Sequence, residues 1–124
     1  MSAETLWAID LGEDKYRIDN CPFFAYSISC GDVVYAPKDQ SSGAPTFISI
    51  VRKSGNKTLR IFFDTPLRPG NFVEEILHSL NEKGCGYEGY SDRYFSINIP
   101  STVQYYTICE YLLSKKIQWE DADR

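Results

Sequence analysis

The second half of the chain constrains the fold most, because strand and helix signals alternate there in one specific order. After the turn residues SGNK, the sequence predicts a strand in TLRIFF, a helix in NFVEEILHSLNEKG and two strands in CGYEGYSDRYFSINIP. A second helix in STVQYYTICEYLLSKK and a short strand in IQWED follow. The order β-α-β-β-α-β is typical of a split βαβ, or ferredoxin-like, unit. It predicts two helices on one face of an antiparallel sheet whose other face is solvated or covered.

Both predicted helices have recognisable ends. Asn71 is a good N-cap, Glu74 follows it at capping-box spacing, and Gly84 lies where a C-cap glycine belongs. Ser101 is predicted to cap the second helix, with Gln104 completing its capping box. Each helix also has an apolar face at helical spacing. The faces consist of Phe72, Val73, Ile76, Leu77 and Leu80 in the first helix and of Tyr105, Ile108, Cys109 and Leu112 in the second.

The first half of the chain predicts strands alone. TLWAIDLG and KYRID alternate around the turn at Gly12–Asp14 and indicate a β-hairpin, while GDVVYAP and PTFISIVRKS predict two further strands. This spacing is typical of a small barrel or a curled sheet. We therefore expect an α+β fold, in which a β-barrel-like or curled sheet unit (1–54) packs on a ferredoxin-like unit (57–124). At this length, residues 1–124 are expected to form a single compact domain.

Charge and composition narrow the class of function. The chain has 124 residues, a formal net charge of −4 and a hydrophobic fraction of 43%, which is enough for a real core. An acidic chain has no broad positive field for phosphate backbones, which argues against nucleic acid and favours a basic protein partner. No apolar run approaches the length of a membrane span. The start MSAETLWAID lacks the features of a secretion signal, so we expect a cytoplasmic location.

No residue pattern indicates catalysis, a metal or a cofactor. The cysteines, Cys21, Cys30, Cys85 and Cys109, form no C-x-x-C pair, and a single histidine cannot complete a usual zinc set. We expect reduced thiols that serve as small apolar groups in the core. Phosphate-binding loops and paired nucleophile-base motifs are also missing. The prediction is therefore no catalytic residue, no metal ligand and no cofactor.

Tyrosines and an acidic end favour a protein-binding surface. Several of the nine tyrosines cluster around the predicted second hairpin, and the end QWEDADR places a tryptophan beside three carboxylates. Aromatic anchors next to acids suit a basic protein surface. Core packing with a solvated acidic end explains the same residues equally well. The predicted partner-binding residues are Tyr87, Tyr90, Tyr94, Trp119, Glu120, Asp121 and Asp123.

Two other functions stay open from the residues alone. A small-ligand module or an enzyme would hold its ligand among Asp19, Asn20 and Asp32, although such residues more often form Asx turns. An RNA-binding protein would use the one basic cluster, although on an acidic chain such a cluster is more often a solvated face. The basic cluster consists of Arg52, Lys53, Lys57 and Arg60.

Motifs along nearly the whole chain resemble those of the bacterial family called domain of unknown function 4265. That family has Leu-Trp before a short hairpin, then Tyr-Arg-(Leu/Ile)-Asp-Asn-x-Pro-Phe-Phe and Gly-Asp-Val-Val. A Ser-Gly-x-x-Thr-Leu-Arg segment and a Gly-Cys turn after a helix follow. Here, Ser27–Cys30 is less rich in glycine than the family pattern, and the loop Pro66–Gly70 is longer. The matching residues are Leu6-Trp7, Tyr16–Asn20, Pro22–Phe24, Gly31–Val34, Ser54–Arg60 and Gly84-Cys85.

The resemblance implies a bacterial cytoplasmic protein with no established enzyme activity. Small proteins of this kind include ones that look like immunity proteins encoded beside antibacterial toxins. From this resemblance we expect a non-enzymatic immunity protein that occludes the active site of a cognate toxin domain with a basic surface. An ADP-ribosyltransferase or a nuclease domain is the expected kind of toxin, bound by a monomer in a 1:1 heterodimer. A small-ligand module or an uncharacterised enzyme of the same family is the alternative.

The run Pro22-Phe23-Phe24 is expected to build the scaffold. In an extended segment, consecutive side chains face opposite ways. We therefore expect one phenylalanine ring to plug the first unit and the other to meet the ferredoxin-like unit, and we favour this over a ligand platform.

Overall fold

The computed structural model describes residues 4–122 and has an α+β fold, as expected from the sequence. Its first half contains four short strands, and its second half contains four strands and two helices. The strands of the first half are β1 (Ala8–Gly12), β2 (Lys15–Ile18), β3 (Val33–Tyr35) and β4 (Ser49–Arg52). The second half comprises β5 (Lys57–Phe62), α1 (Phe72–Glu82), β6 (Gly86–Gly89), β7 (Tyr94–Ile99), α2 (Tyr105–Ser114) and β8 (Glu120–Asp121).

The first sheet is an open antiparallel meander of order β1-β2-β3-β4. The predicted hairpin is therefore confirmed. A closed barrel is not formed, since no ladder joins β1 to β4 within residues 4–122. Closure around a filled interior takes about eight strands, and this sheet has four strands of three to five residues.

A small core covers the inner face of the first sheet. Its buried residues are Ile18, Ile28, Val34 and Ala36, and Ala25 packs against them. Ala25 and Ile28 belong to the connecting segment, which we define as residues 19–32, the irregular chain between β2 and β3. The first sheet thus packs on this segment rather than directly on a second sheet.

The second sheet has the order β6-β7-β5-β8, and all its pairs are antiparallel. Strand alternation sends Leu59 and Ile61 toward the helices, where they join the main core with Val73, Ile76 and other buried residues. The register pairs Arg60 with Ser96, so these two side chains lie on the opposite face. The predicted last strand is confirmed as β8, which forms one edge of this sheet.

Helix α1 begins and ends where the sequence predicts. The Asn71 side chain accepts a hydrogen bond from the Glu74 backbone N–H at 3.1 Å, and the Glu74 carboxylate accepts one from Gly70. At the other end, Gly84 has φ of +100°, and its N–H donates to Asn81. This left-handed residue favours glycine and closes the helix with a Schellman motif.

Helix α2 begins later than predicted, because Ser101 is not its cap. Gln104 is the N-cap, and its side chain makes no capping hydrogen bond. Ser101 instead lies in a turn, closed by the Val103 N–H donating to Pro100 at 2.9 Å. The Ser101 N–H also donates to the Asn56 side chain at 3.1 Å. Ser101 therefore belongs to the turn before α2 and is not the N-cap that the sequence pattern predicted.

The connecting segment lies over the face of the second sheet that the helices leave uncovered. Its backbone carbonyls accept hydrogen bonds from three side chains of that face: Arg60 to Phe23 at 2.7 Å, Tyr94 to Phe23 at 2.6 Å and Ser96 to Pro22 at 2.8 Å. Arg60 also donates to the Ala25 carbonyl. Backbone from the first half thus accepts hydrogen bonds from the polar face of the second sheet.

A carboxylate near the start of the described chain accepts hydrogen bonds from backbone N–H groups of the same segment. The backbone N–H groups of Phe23, Phe24 and Ala25 donate to the Glu4 carboxylate at 2.6–2.9 Å. Charge-assisted hydrogen bonds of this kind are among the stronger ones in proteins. The Glu4 contacts lie within the first half, whereas the contacts of Arg60, Tyr94 and Ser96 join the two halves of the molecule. The assignment of the whole chain to one domain stays a prediction.

Replacing Arg60 with methionine is expected to lower the free energy of unfolding by about 3 kcal/mol, because the Ala25 carbonyl loses the Arg60 donor and the Phe23 carbonyl keeps only that of Tyr94. Arg60 is 3% exposed, so water cannot fully replace the lost guanidinium. Urea unfolding of Arg60→Met measures the change. Arg68→Met is the matched control, since Arg68 is exposed, and it should change the stability by less than about 1 kcal/mol. Equal stability of the two variants would contradict this role for Arg60.

Candidate functional site

Five aromatic side chains form a cluster where the connecting segment meets the second sheet. We call Phe23, Phe24, Phe62, Tyr90 and Tyr94 the aromatic seam. Phe24 lies 5.0 Å from Tyr90 and 5.9 Å from Tyr94 between ring centroids, and Phe62 lies 6.2 Å from Tyr94. These separations and tilts are those of favourable aromatic pairs. Three of the rings remain accessible, with Phe24 45%, Tyr90 61% and Phe62 65% exposed.

The expectation that one of the two phenylalanine rings plugs the first unit is wrong. Phe23 and Phe24 both contact Tyr90 and Tyr94 of the second half. The opposite orientation required an extended segment, whereas residues 19–32 are irregular. Smaller residues, Ala25 and Ile28, pack into the first core instead.

An acidic edge adjoins the aromatic seam. Glu120 on β8 accepts a hydrogen bond from the Tyr26 hydroxyl at 2.7 Å and lies 3.7 Å from Arg60. The Arg60 guanidinium also lies 5.0 Å from the centre of the Tyr26 ring. Together with Phe62, Tyr94, Gln118 and Trp119, Arg60 and Glu120 line a shallow groove of about 340 Å³.

The structure brings together four of the sequence-predicted partner-binding residues. Tyr90, Tyr94, Trp119 and Glu120 all lie at the seam or its groove. Trp119 is half-buried and also packs against the main core.

The other three predicted residues lie elsewhere or are not described. Tyr87 lies on the helix side of the sheet, 6.0 Å from Phe95, and lines a separate groove along α1. The Asp121 carboxylate accepts a hydrogen bond from the Tyr105 hydroxyl at 2.8 Å. Asp123 lies outside the described residues.

Three exposed aromatic residues of this surface were not among the predicted partner-binding residues. Phe62 alternates with the buried Ile61 and Phe63, so strand periodicity could have placed it outside the core. Phe24 and Tyr26 lie in the irregular connecting segment, where no periodicity indicates which side chains are exposed.

Most residues of the ligand-module hypothesis are buried and form hydrogen bonds within the protein. Asp32 is fully buried, and its carboxylate accepts hydrogen bonds from the backbone of Ser29 and Ser54 and from Lys53. Asn20 is also buried, accepts from the Trp7 N–H and donates to the Cys21 carbonyl. Their contacts hold the connecting segment in place, while Asp19 is exposed.

The basic cluster of the RNA-binding hypothesis is dispersed. Lys53 forms an ion pair of 2.6 Å with Asp32, and Arg60 is buried under the connecting segment. Lys57 lies 5.6 Å from the centre of the Tyr105 ring. Arg52 alone of the four is an exposed cation of the first sheet. Adjacency in sequence therefore does not create one basic surface here.

All four cysteines are free thiols, which lie within the described residues. Cys21 and Cys85 are buried, as expected for apolar core groups, and Cys30 and Cys109 are half-buried. Burial raises the pKa of the Cys21 thiol, with the nearby Glu88 adding to the effect, and it raises the pKa of Cys85 to about 11. Burial also raises the pKa of the Tyr94 hydroxyl.

The described part of the chain has neither a metal-binding cluster nor a membrane-spanning helix. Over residues 4–122, no three His, Cys, Asp or Glu side chains are grouped so as to hold a metal ion. Neither helix in that range has the length and apolar character needed to cross a membrane.

Fold and surface together define a small α+β protein with an exposed aromatic seam. The chain belongs to the family Domain of unknown function (DUF4265), whose model matches residues 4–120. This confirms the resemblance seen in the sequence motifs. No curated protein matches the chain.

A solved structure shares the fold. The crystal structure of a hypothetical protein from Neisseria gonorrhoeae superposes with a TM-score of 0.79 and 18% sequence identity. The match covers 96% of this chain and 82% of that chain. At this identity the likeness shows the fold alone.

Alkaline pH is expected to destabilise the protein through its buried thiols. A thiol whose folded pKa exceeds its unfolded value adds stability that is complete below about pH 9 and is lost as pH rises toward the folded pKa, here about 11 for Cys85. Urea unfolding near pH 7 and near pH 10 measures the loss. Cys85→Ala removes one such thiol, so its loss should be smaller by about 1 kcal/mol. An identical loss in both proteins would exclude Cys85 as a contributor.

Proposed function

We propose that this protein is an immunity protein, which binds a cognate antibacterial toxin domain and neutralises it by occluding its active site. The protein is not an enzyme in this proposal. It acts in the cytoplasm as a monomer that forms a 1:1 heterodimer. An ADP-ribosyltransferase or a nuclease domain is the proposed toxin, because both act on anionic substrates and expose basic clefts.

The observation that carries the proposal is the exposed aromatic seam. Single exposed apolar residues are common, but several large rings side by side are typical of interaction sites. Rigid aromatic side chains bury much area with little loss of conformational entropy, and they dominate the energy of many protein interfaces. Phe24, Phe62 and Tyr90 are exposed together and are held by contacts with Tyr94.

Charge supports a basic partner for this surface. Glu120 borders the groove beside Phe62 and Trp119, and the chain carries a net charge of −4. Complementary charge accelerates association and selects partners more than it adds affinity. The net negative charge of the chain, together with these apolar anchors, therefore suits the basic cleft of an enzyme that binds phosphates.

We infer that the second half has the ferredoxin-like arrangement. Its elements follow one another as β5-α1-β6-β7-α2-β8, and its antiparallel sheet has the order β6-β7-β5-β8. Side chains of both helices contribute to one core with β5 and β7. These features support the split βαβ pattern. In this arrangement the helix-free face of the sheet is available to hold the connecting segment.

Co-expression tests the function directly. The toxin domain to use is the C-terminal domain encoded by the gene next to that of this protein. The protein is expected to rescue cells from that domain and to co-purify with it as a 1:1 complex. If the protein neither rescued cells from the neighbouring toxin domain nor co-purified with it, the immunity function would be rejected.

Substitutions in the seam test the proposed surface. Phe62→Ala with Tyr90→Ala is expected to weaken toxin binding by about 2 kcal/mol or more, measured by calorimetry, because two interface anchors are removed. Both rings are exposed, so the fold should persist.

The matched control replaces an exposed phenylalanine and an exposed tyrosine far from the seam. Phe72→Ala with Tyr106→Ala changes rings on α1 and α2 that are 49% and 71% exposed. This control should bind like the unchanged protein. If the seam variant bound as tightly as the control, the interface would lie elsewhere, even though the immunity function could still hold.

A further inference from the structure

The second sheet ends at β6, whose outer side pairs with no other strand between residues 4 and 122. β6 lies against β7 in regular register, and beyond it the Tyr90 N–H donates to the Tyr94 carbonyl at 2.9 Å. Successive residues of an antiparallel strand direct their backbone groups alternately to its two sides. The exposed residues Tyr87 and Gly89 therefore direct their N–H and C=O groups away from β7. We call these four groups the open edge, and no residue of the described chain hydrogen-bonds to them.

The other edge strands have features that discourage pairing with a further strand. β1 has a bulge between Asp10 and Gly12, β4 has a register shift against β3 and ends in Arg52, and β8 has only two residues. Bulges, charges and short strands are the usual protection of a sheet edge. β6 has a regular register, and its one charged side chain, Glu88, accepts a hydrogen bond from the Cys21 N–H of the connecting segment. β6 is therefore the edge strand best suited to pairing.

A groove of about 480 Å³ lies beside β6 on the helix side of the sheet. Tyr87 lines it from β6, and α1 lines it from the helix layer. Leu67 and Leu77 contribute apolar surface, while Glu74 and Glu75 contribute carboxylates. A side chain that enters this groove from beyond β6 would thus meet negative charge.

Negative charge predominates around this groove. Apart from His78, whose Nε2 lies 3.3 Å from a Glu82 carboxylate oxygen, its charged lining residues are both glutamates. The Glu75 side chain makes no hydrogen bond or ion pair within the described range. Two cations near the ends of α1 are engaged with other groups: Arg68 with Asp92 at 3.2 Å and Lys83 with the Tyr111 ring at 4.5 Å. The groove therefore favours a positively charged side chain.

The opposite side of β6 leads to the aromatic seam. Tyr90, which directly follows β6, is 61% exposed, and its ring lies 5.0 Å from that of Phe24 between centroids. A strand added beyond β6 would therefore have two different surroundings. One face would meet the acidic groove, and the other would meet exposed aromatic rings.

We propose that the open edge binds an extended segment of a partner protein in which basic and apolar residues alternate. The segment adds a strand to the second sheet, and its backbone pairs with the free groups of Tyr87 and Gly89. Because the side chains of a strand alternate between its two faces, basic residues reach Glu74 and Glu75 while apolar residues lie against the seam. Backbone pairing supplies affinity, and the two faces supply specificity. The proposal does not rest on the immunity function.

Fluorescence anisotropy with defined peptides tests the proposal on the full chain. The probe is a fluorescein-labelled peptide of about eight residues that alternates lysine and valine, which is longer than β6. One comparison peptide alternates glutamate and valine. The other is the lysine-valine peptide N-methylated at every backbone nitrogen, which keeps the charge and removes the donors. The unmodified lysine-valine peptide is expected to bind at least about tenfold more tightly than either, and its affinity should fall as salt is added.

A proline at the open edge tests the backbone pairing from the side of the protein. Tyr87→Pro removes an N–H that donates to no group of the described chain, so proline is tolerated there as on other strand edges. Tyr87→Ala is the matched control, because it loses the same ring and keeps the N–H. The proline variant is expected to bind the lysine-valine peptide about fivefold or more weakly than the alanine variant. If circular dichroism shows that the proline variant does not fold, the N-methylated peptide decides the same point.

Charge reversal tests the groove. Glu75→Lys is expected to weaken binding of the lysine-valine peptide by about fivefold or more. Glu110→Lys is the control, because it changes the net charge equally at an exposed position of α2 that does not line the groove. This control should bind more tightly than Glu75→Lys.

Several results would overturn the proposal. The N-methylated or the glutamate-valine peptide could bind as tightly as the unmodified lysine-valine peptide. Equal binding by the Tyr87 pair of variants, or by the Glu75 and Glu110 variants, would likewise place the binding elsewhere. If sedimentation showed a dimer of the chain that Tyr87→Pro abolishes and Tyr87→Ala does not, the edge would be assigned to a second copy instead.

Discussion

The structure depends on satisfying the backbone of an irregular segment held between two sheets. Residues 19–32 form few regular hydrogen bonds of their own, yet several of their backbone groups are removed from water. Each buried polar group without a partner would cost about 1–3 kcal/mol. Arg60, Ser96 and Tyr94 supply donors from the second sheet, and the carboxylates of Glu4 and Glu88 supply acceptors. This polar network joins the segment to the second sheet and to the start of the described chain.

The network explains why the signature motif of the family contributes to architecture while the rings beside it remain available. Pro22, Phe23 and Ala25 present carbonyls to the second sheet, so their backbone positions are constrained. The side chain of Phe24 takes no part in these hydrogen bonds and extends into the aromatic seam. A rigid backbone thus presents exposed rings, which lowers the entropy lost when a partner binds. The connecting segment therefore contributes to both the scaffold and the proposed toxin surface, whose other rings come from the second half.

Local signals predicted the regular elements well, and long-range contacts account for the errors. The hairpin, both helices and β8 follow from alternation, caps and helical spacing, which act within a few residues. Ser101 was misassigned because Asn56, far away in sequence, takes its N–H. Of the candidate surface, Tyr90, Tyr94, Trp119 and Glu120 were predicted from composition. Phe24 and Tyr26 were missed because irregular backbone has no period that reveals side-chain direction.

The sequence by itself determined the family, the α+β class, the order of the elements and most of the main core, because each depends on motifs or on local periodicity. Tertiary structure alone decided how charge is distributed. It buried Arg60 and paired Lys53 with Asp32, while strand register placed Arg17 beside Val33 and Arg52 on an open face. Charges that are neighbours in sequence were separated, and distant ones were brought together. Electrostatic surfaces depend on distances in space, which only the packing of the two sheets determines.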